Sequence, residues 1–489
     1  MFLLSCEEGT VVAIRSSSRP ASSSGLADNT VGFFQVFSQG LVANGPLAST
    51  TVAMTAAASY ALGALPLAYL IGIVVVVLWV NTPFQFSQRL ASASGVSYFV
   101  SKGAGALWGY LAGLSYVVYY IALIPANAIF FGILVSSLLP VLGVAHPATW
   151  LWVPLSVLLI VPSTILTYLG IKTSLNYAIF VALVEILLLI VISLVIIFSP
   201  GTHNTWAVYN PHLAAGGLGG FAIGLLVAAF GMSGSTATVY LGRESRAPHQ
   251  TIRKALIWST VLVVALFVLV SYAFTVGWGY RRMGSFASAS IPGLTVVQHY
   301  LGQVPELILA LFVINSLVGV NMAASIVVSR LLMTMGQARL LPRALGKTHP
   351  TYLTPYVSVV WIGVVAAILG LIAAIIWGPS TGYIVLILLA TMGEFLGHIL
   401  GNIALPIYAW RKNIVRWAVH VLLPILSLAT IVLGIFYTFF PVSFPFIYPA
   451  LFSLLVLVVA AAQFLFTTRS KSHLDVVEDA FSRLGLEES

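Results

Sequence analysis

The 489-residue sequence predicts an all-α membrane protein of twelve transmembrane helices. Five helices are followed by five more in an inverted repeat, with discontinuous helices 1 and 6, and helices 11 and 12 stand outside the repeat. Three observations lead there. The chain is 60% hydrophobic and only 7% charged, with a mean hydropathy of +1.05, where a soluble domain carries about 25% charged residues. Apolar runs of about 20 residues, long enough to cross hydrocarbon, recur along the whole chain. Two of those runs are interrupted by Gly, Pro and small polar residues, at Ala43-Asn-Gly-Pro-Leu-Ala-Ser49 and Phe230-Gly-Met-Ser-Gly-Ser-Thr236.

The spans are read at 31–58, 61–81, 104–138, 148–168, 174–198, 218–241, 253–279, 304–335, 355–377, 383–409, 416–438 and 444–467. Residues 1–30 are polar and Ser-rich, without the apolar core of a signal peptide, and read as a mostly mobile cytoplasmic tail. Residues 31–200 form the first repeat, 218–410 the second, 411–467 the two added helices and 468–489 a cytoplasmic tail. In that last tail Leu474, Val477, Phe481 and Leu484 fall at helical spacing, which predicts a short amphipathic helix on the inner leaflet. Cys6 is the only cysteine, so no internal disulfide and no Cys-based metal site can form.

With both termini cytoplasmic, 19 of the 21 Lys and Arg residues fall on the inner side, and only Arg281 and Arg282 fall outside. That asymmetry is the positive-inside pattern. It accounts for the net charge of +9 as topology, with no nucleic-acid partner implied. The bilayer is the expected surrounding of a multi-pass integral protein, and the cell membrane the expected location.

The two interruptions carry the functional argument. A helix broken in mid-membrane exposes backbone groups that lipid cannot satisfy, so such breaks survive only against protein, a cavity or a ligand. A pair of them in the first and sixth spans points to a secondary transporter with a midplane site. Pro66, Pro125, Pro406 and Pro424 also sit inside spans but lack that clustering, and read as kinks. Ionisable residues inside spans are costly and usually functional. Only Glu185 and Glu394 are acids near the midplane; Glu244 belongs to the inner loop and Glu306 to the outer end of span eight. Glu394 and His398 are four apart and share a helix face, either as a proton relay or as a plain buried hydrogen bond. No cofactor, no metal site and no Walker A motif is expected, and the chain is not read as an enzyme.

Three motifs in order carry a family resemblance. Ser94-Gly-Val-Ser-Tyr98 with Gly103-Ala-Gly105 precedes span three, Gly242-Arg-Glu-Ser-Arg-Ala-Pro248 follows span six, and an Arg-rich stretch from Ser329 runs through Leu341-Pro342 to Thr354-Pro355. Over roughly residues 30–410 the chain resembles permeases of the amino acid–polyamine–organocation (APC) superfamily. The resemblance implies a LeuT-type fold, in which helices 1, 2, 6 and 7 rock against a scaffold of helices 3, 4, 8 and 9. Two departures stand out: Asn44-Gly45-Pro46 replaces the family's Gly-Ser-Gly element, and Arg243-Glu244 replaces paired acids.

A zwitterion suits a broken helix, because free N–H groups favour an anion and free C=O groups a cation. Leu47, Ala48 and Ser49 are expected to present N–H groups to the carboxylate, beside Asn44 and Gly45, with Pro46 at a first helical position where its missing donor costs nothing. Phe230 and Gly231 are expected to offer carbonyls to the ammonium, with Met232, Ser233 and Gly234 lining the break. By the resemblance, Phe230 is the aromatic that covers the substrate, with ordinary packing as its alternative. Glu185 stands where relatives carry a lysine in place of a sodium ion. It is the expected proton-coupling group, with Glu394 and His398 next, or a Na+ ligand with Ser325.

The resulting expectation is a secondary-active amino acid transporter coupled to H+, for a neutral or weakly polar amino acid. The alternatives are a polyamine or other organocation permease, a Na+-coupled carrier of the same fold, and, from another class, a transporter-like amino acid receptor.

Overall fold

The computed structural model describes residues 25–140, 143–144, 148–440, 442–469, 471–483 and 485–487. Cys6, Arg15, Arg19 and Leu484 lie outside the described residues. Helices dominate: α1 (Phe33–Val42), α2 (Met54–Ala61), α3 (Leu65–Ser87), α4 (Ala106–Leu138), α5 (Trp152–Tyr168), α6 (Ile171–Phe198), α7 (Leu218–Gly231), α8 (Pro248–Trp278), α9 (Gln303–Gln337), α10 (Tyr356–Trp377), α11 (Pro379–Arg411), α12 (Leu423–Phe439), α13 (Tyr448–Thr467) and α14 (Lys471–Arg483). Two short strands, β1 (Leu90–Ser92) and β2 (Gly485–Glu487), complete the outline.

Ten helical segments among the described residues are long and apolar enough to cross a membrane, so this is a multi-pass integral membrane protein. The first segment, Phe33–Ser87, holds 55 residues and is interrupted at Asn44–Gly45 and by a turn at Leu62–Ala64. α5 is apolar too, but its 17 residues make a shorter element than the others. Large apolar side chains such as Phe180, Leu187, Ile375 and Leu455 stay exposed on the outer helices, where hydrocarbon rather than water would cover them.

Packing divides the helices into groups. α1 lies on α8, α2 on α7, and α3 on both α7 and α8. α4 packs against α5, α9 and, most extensively, α11, while α10 joins α5 and α11. Small residues permit these approaches. A side chain at Gly393 would meet the Ser115 carbonyl at 2.7 Å, and one at Gly397 would meet the Tyr116 ring.

The helix ends near Glu244 and Arg330 are closed by polar contacts. Arg330 makes two bonds to Glu244, at 2.6 and 2.7 Å, and a third to the Ile326 carbonyl at 2.8 Å, all fully buried. The Glu244 carbonyl accepts from the amides of Thr30 and Val31, and Asp28 pairs with Arg243 at 3.2 Å. The described end of the N-terminal tail is therefore seated on the protein.

The C-terminal tail is seated as well. α14 buries Val477, Ala480 and Phe481 in the main core, so its apolar face covers protein instead of the inner leaflet. Beyond it, β2 pairs antiparallel with β1, which lies between α3 and the helix Val96–Ala104. Glu487 reaches Lys412 at 2.6 Å and Lys102 at 3.5 Å.

Candidate functional site

The first break begins where α1 ends. Gly45 takes a left-handed conformation, φ 50°, which favours glycine. A side chain there would also run into Val320. Pro46 opens a three-residue helix, Pro46–Ala48, at the position where it gives up no bond. A wide turn, Ser49–Ala53, then leads into α2. The second break begins where α7 ends at Gly231. Met232 and Ser233 follow, and the tighter helix Gly234–Leu241 completes the span.

The two breaks touch each other. A side-chain carbon on Gly234 would stand 2.8 Å from the Ala43 carbonyl oxygen. Asn44 joins them: its Oδ1 accepts from the Gly234 amide at 2.9 Å, and its Nδ2 donates to the Gly40 carbonyl at 2.7 Å and to Ser235 Oγ at 3.3 Å. Ser49 donates to the Asn44 carbonyl at 2.6 Å. The replacement of the family's glycine-rich element by Asn44 thus supplies the side chain that fastens one break to the other.

Three expected roles need adjustment. The Phe230 carbonyl accepts from the Ser233 amide at 3.2 Å, and the Ser233 hydroxyl lies 2.8 Å from it, so it already has a protein partner in this conformation. Met232 is fully buried and its methyl faces Gly72 of α3, away from the break. The amides of Leu47 and Ala48 look toward α6 and α9: Ala48 donates to Ser316 Oγ at 3.4 Å, and Leu47 lies beside the Glu185 carboxyl. Phe230 itself is half-buried and sets its ring edge-on to Phe395 at 6.0 Å.

Glu185 is fully buried between the first break and α9, beside the Ser316 hydroxyl and the Leu47 amide, with neither carboxyl oxygen in a formed hydrogen bond. Ser325 is nine positions beyond Ser316 on α9, about 13 Å along the axis. The side chain that accompanies Glu185 is therefore Ser316, and Ser325 is not brought to it. Glu394 is buried against the second break, where the Ser233 hydroxyl lies 2.8 Å from its Oε1. His398 Nε2 lies 3.7 Å from that oxygen. Tyr116, Tyr119 and Tyr120 of α4 and Tyr240 of the Gly234–Leu241 helix surround the acid. Each break thus has one buried carboxylic acid beside it. Sequence reasoning missed Ser316 and this tyrosine cluster, whose residues carry no spacing signal that links them to a distant acid.

The family model for amino acid permeases matches residues 45–473, from the first break to the start of α14. The chain belongs to the amino acid permease family. The permease is therefore a transporter-family protein and not an enzyme. It is 24% identical over 301 residues to the branched-chain amino acid permease BcaP of Bacillus subtilis (strain 168), covering 58% of this chain and 62% of that one. The permease thus spans about three-fifths of that relative's length. It is 28% identical over 332 residues to an uncharacterised transporter of Mycobacterium tuberculosis (strain ATCC 25618 / H37Rv), covering 66% of this chain and 70% of that one. The counterpart in Mycobacterium bovis (strain ATCC BAA-935 / AF2122/97) matches to the same extent.

Proposed function

We propose that the chain is a secondary-active transporter of a neutral amino acid, coupled to H+, working by alternating access around the junction of the two broken helices. The observation that carries this reading is the backbone contact of the two breaks at Gly234 and Asn44, inside a chain of the amino acid permease family. Half-helix ends that meet at one point offer donors and acceptors to both ends of a zwitterion. The denser packing among α1, α2, α3, α7 and α8, and among α4, α5, α9 and α10, than between the two sets supports two bodies that rock against each other. In this reading the chain crosses the cell membrane twelve times, α5 included, as an inverted repeat with both termini cytoplasmic. The similarity to a branched-chain amino acid permease supports an apolar side chain on the substrate.

Glu185 is the coupling group in this proposal. It is buried beside the first half-helix start, and its charge would bear on Leu47 and Ala48 in one protonation state and not in the other. Uptake into proteoliposomes with and without an imposed acid-outside gradient tests it. Wild type accumulates substrate with the gradient, and Glu185→Gln keeps exchange but loses accumulation. A variant that concentrates substrate as steeply as wild type removes the role from Glu185. Accumulation driven by Na+ and indifferent to pH overturns proton coupling altogether.

A further inference from the structure

The Ser233 hydroxyl has one hydrogen and two acceptors. Its Oγ lies 2.8 Å from the Phe230 carbonyl oxygen and 2.8 Å from Glu394 Oε1. A hydroxyl donates once and accepts through its lone pairs, so both bonds cannot be donated at the same time. Which one forms depends on Glu394. We infer that Glu394 acts through Ser233 as a proton-operated switch on the Phe230 carbonyl, opening that carbonyl to the substrate ammonium when ionised and closing it when protonated. The inference rests on the proposed transport reading, in which this half-helix end receives the ammonium.

The ionised acid is the stronger acceptor and draws the hydroxyl to itself. The Phe230 carbonyl then keeps only backbone contacts, from the Ser233 amide at 3.2 Å and from the Met232 amide it shares with Ala229, and is released from the hydroxyl. When a proton adds to the carboxylate, Glu394 becomes a donor to Ser233 Oγ. The Ser233 hydrogen turns to Phe230, and the carbonyl gains a third donor beside its backbone contacts. Only hydrogen bonds are exchanged, and the proton resides on the Glu394 carboxyl.

Buried polar atoms beside this hydroxyl are left without partners. Glu394 Oε2 and His398 Nε2 are buried and have no hydrogen-bond partner. His398 is the one ion-pair partner of Glu394 among the described residues, and it also lines a small cavity between α3, α4 and α11 with Thr82, Tyr116 and Gly401. The remaining titratable groups that face Glu394 are Tyr116, Tyr119 and Tyr120 from α4 and Tyr240, whose hydroxyl is also unpartnered. A buried acid with no fixed cation beside it, touching the last donor of a broken helix, is placed to convert protonation into a change of hydrogen bonding at the site.

A proton on Glu394 and the substrate therefore compete, apart from the coupling proton assigned to Glu185, so Glu394 must stay ionised while substrate loads. Binding of radiolabelled amino acids to the purified full-length protein, leucine first, is measured between about pH 5 and about pH 8. Wild type is expected to lose affinity on the order of tenfold toward the acid end, the effect of one charge-assisted hydrogen bond. Ser233→Ala removes the shared hydrogen and flattens the profile. Glu394→Gln holds a permanent donor against Ser233 and binds weakly across the whole range. A merely structural role would lower affinity without flattening the profile, and Ser233→Ala with the wild-type pH dependence overturns the switch. A pH-independent wild type also overturns it while leaving transport intact. Failure of every amino acid to bind wild type overturns the transport reading and the switch with it.

Discussion

Asn44 and Gly234 stand 190 positions apart and share one hydrogen bond of 2.9 Å. At that point the residue scale decides whether the two breaks can meet. Gly234→Ala would place a methyl 2.8 Å from the Ala43 carbonyl, which is backbone and cannot rotate away. Uptake is expected to fall by more than about tenfold, the scale of losing well-placed hydrogen bonds, while size-exclusion behaviour stays normal. Unchanged uptake would mean that the breaks tolerate separation. The buried pair Glu244 and Arg330 makes a second prediction. Glu244→Ala leaves a guanidinium buried and unpaired, at a cost of about 3–5 kcal/mol. Replacing both residues with Met should cost less than the single change. Thermal unfolding in detergent, followed by tryptophan fluorescence, compares the three proteins.

At the scale of elements, the C-terminal tail is the part whose docking depends on charge. Partial burial raises the Glu487 carboxyl, but the hydrogen bond and charge of Lys412 and the charge of Lys102 outweigh it and hold it below the ordinary carboxylate range. The hydrogen bond and charge of Glu487 raise Lys412 in turn. A depressed acid stabilises the docked tail above its ordinary value, and that contribution is lost as pH falls through the lowered one. For a raised lysine the contribution is present below its ordinary value and lost as pH rises through the higher one. Docking is thus favoured between the acidic and the alkaline limits. Protection of the β2 amides from hydrogen exchange, taken relative to the intrinsic rate at each pH, should be high at neutral pH and low in acid, and Glu487→Gln should show low protection at both. High protection in that variant would show that strand pairing alone holds the tail.

The elements differ in how far the sequence disclosed them. Apolar length and the clustering of Gly45 with Pro46, and of Gly231 with Ser233 and Gly234, are local properties, so helices and breaks were legible. The spacing of Glu394 and His398 was legible for the same reason. The bond from Ser233 to Glu394 spans 161 positions and that from Arg330 to Glu244 spans 86, and no local pattern encodes such partners. The tail was half legible. Val477 and Phe481 announce an amphipathic face, but hydrophobic spacing alone does not distinguish lipid from protein as the surface it covers. Ser316 was missed because a lone serine in an apolar helix resembles any other.

At the scale of the whole molecule, two acids flank two breaks. Glu185 lies on α6 beside the first break, and Glu394 lies on α11 beside the second. In the proposed inverted repeat of five helices each, α6 and α11 would be the fifth and tenth spans and so corresponding helices. The reading gives each half one broken helix and one buried acid that bears on it, with the substrate held where the halves meet. Amino acid counterflow in proteoliposomes tests that claim most directly, because a carrier exchanges labelled for unlabelled substrate and a receptor or channel does not. Wild type is expected to show saturable counterflow. Gly231→Leu has room for its first carbon, 3.9 Å from Phe267, and extends the rest of the side chain at the end of α7. It is expected to insert and fold normally yet abolish counterflow. Counterflow at the wild-type rate by a folded Gly231→Leu protein would contradict a substrate site at the junction of the two breaks.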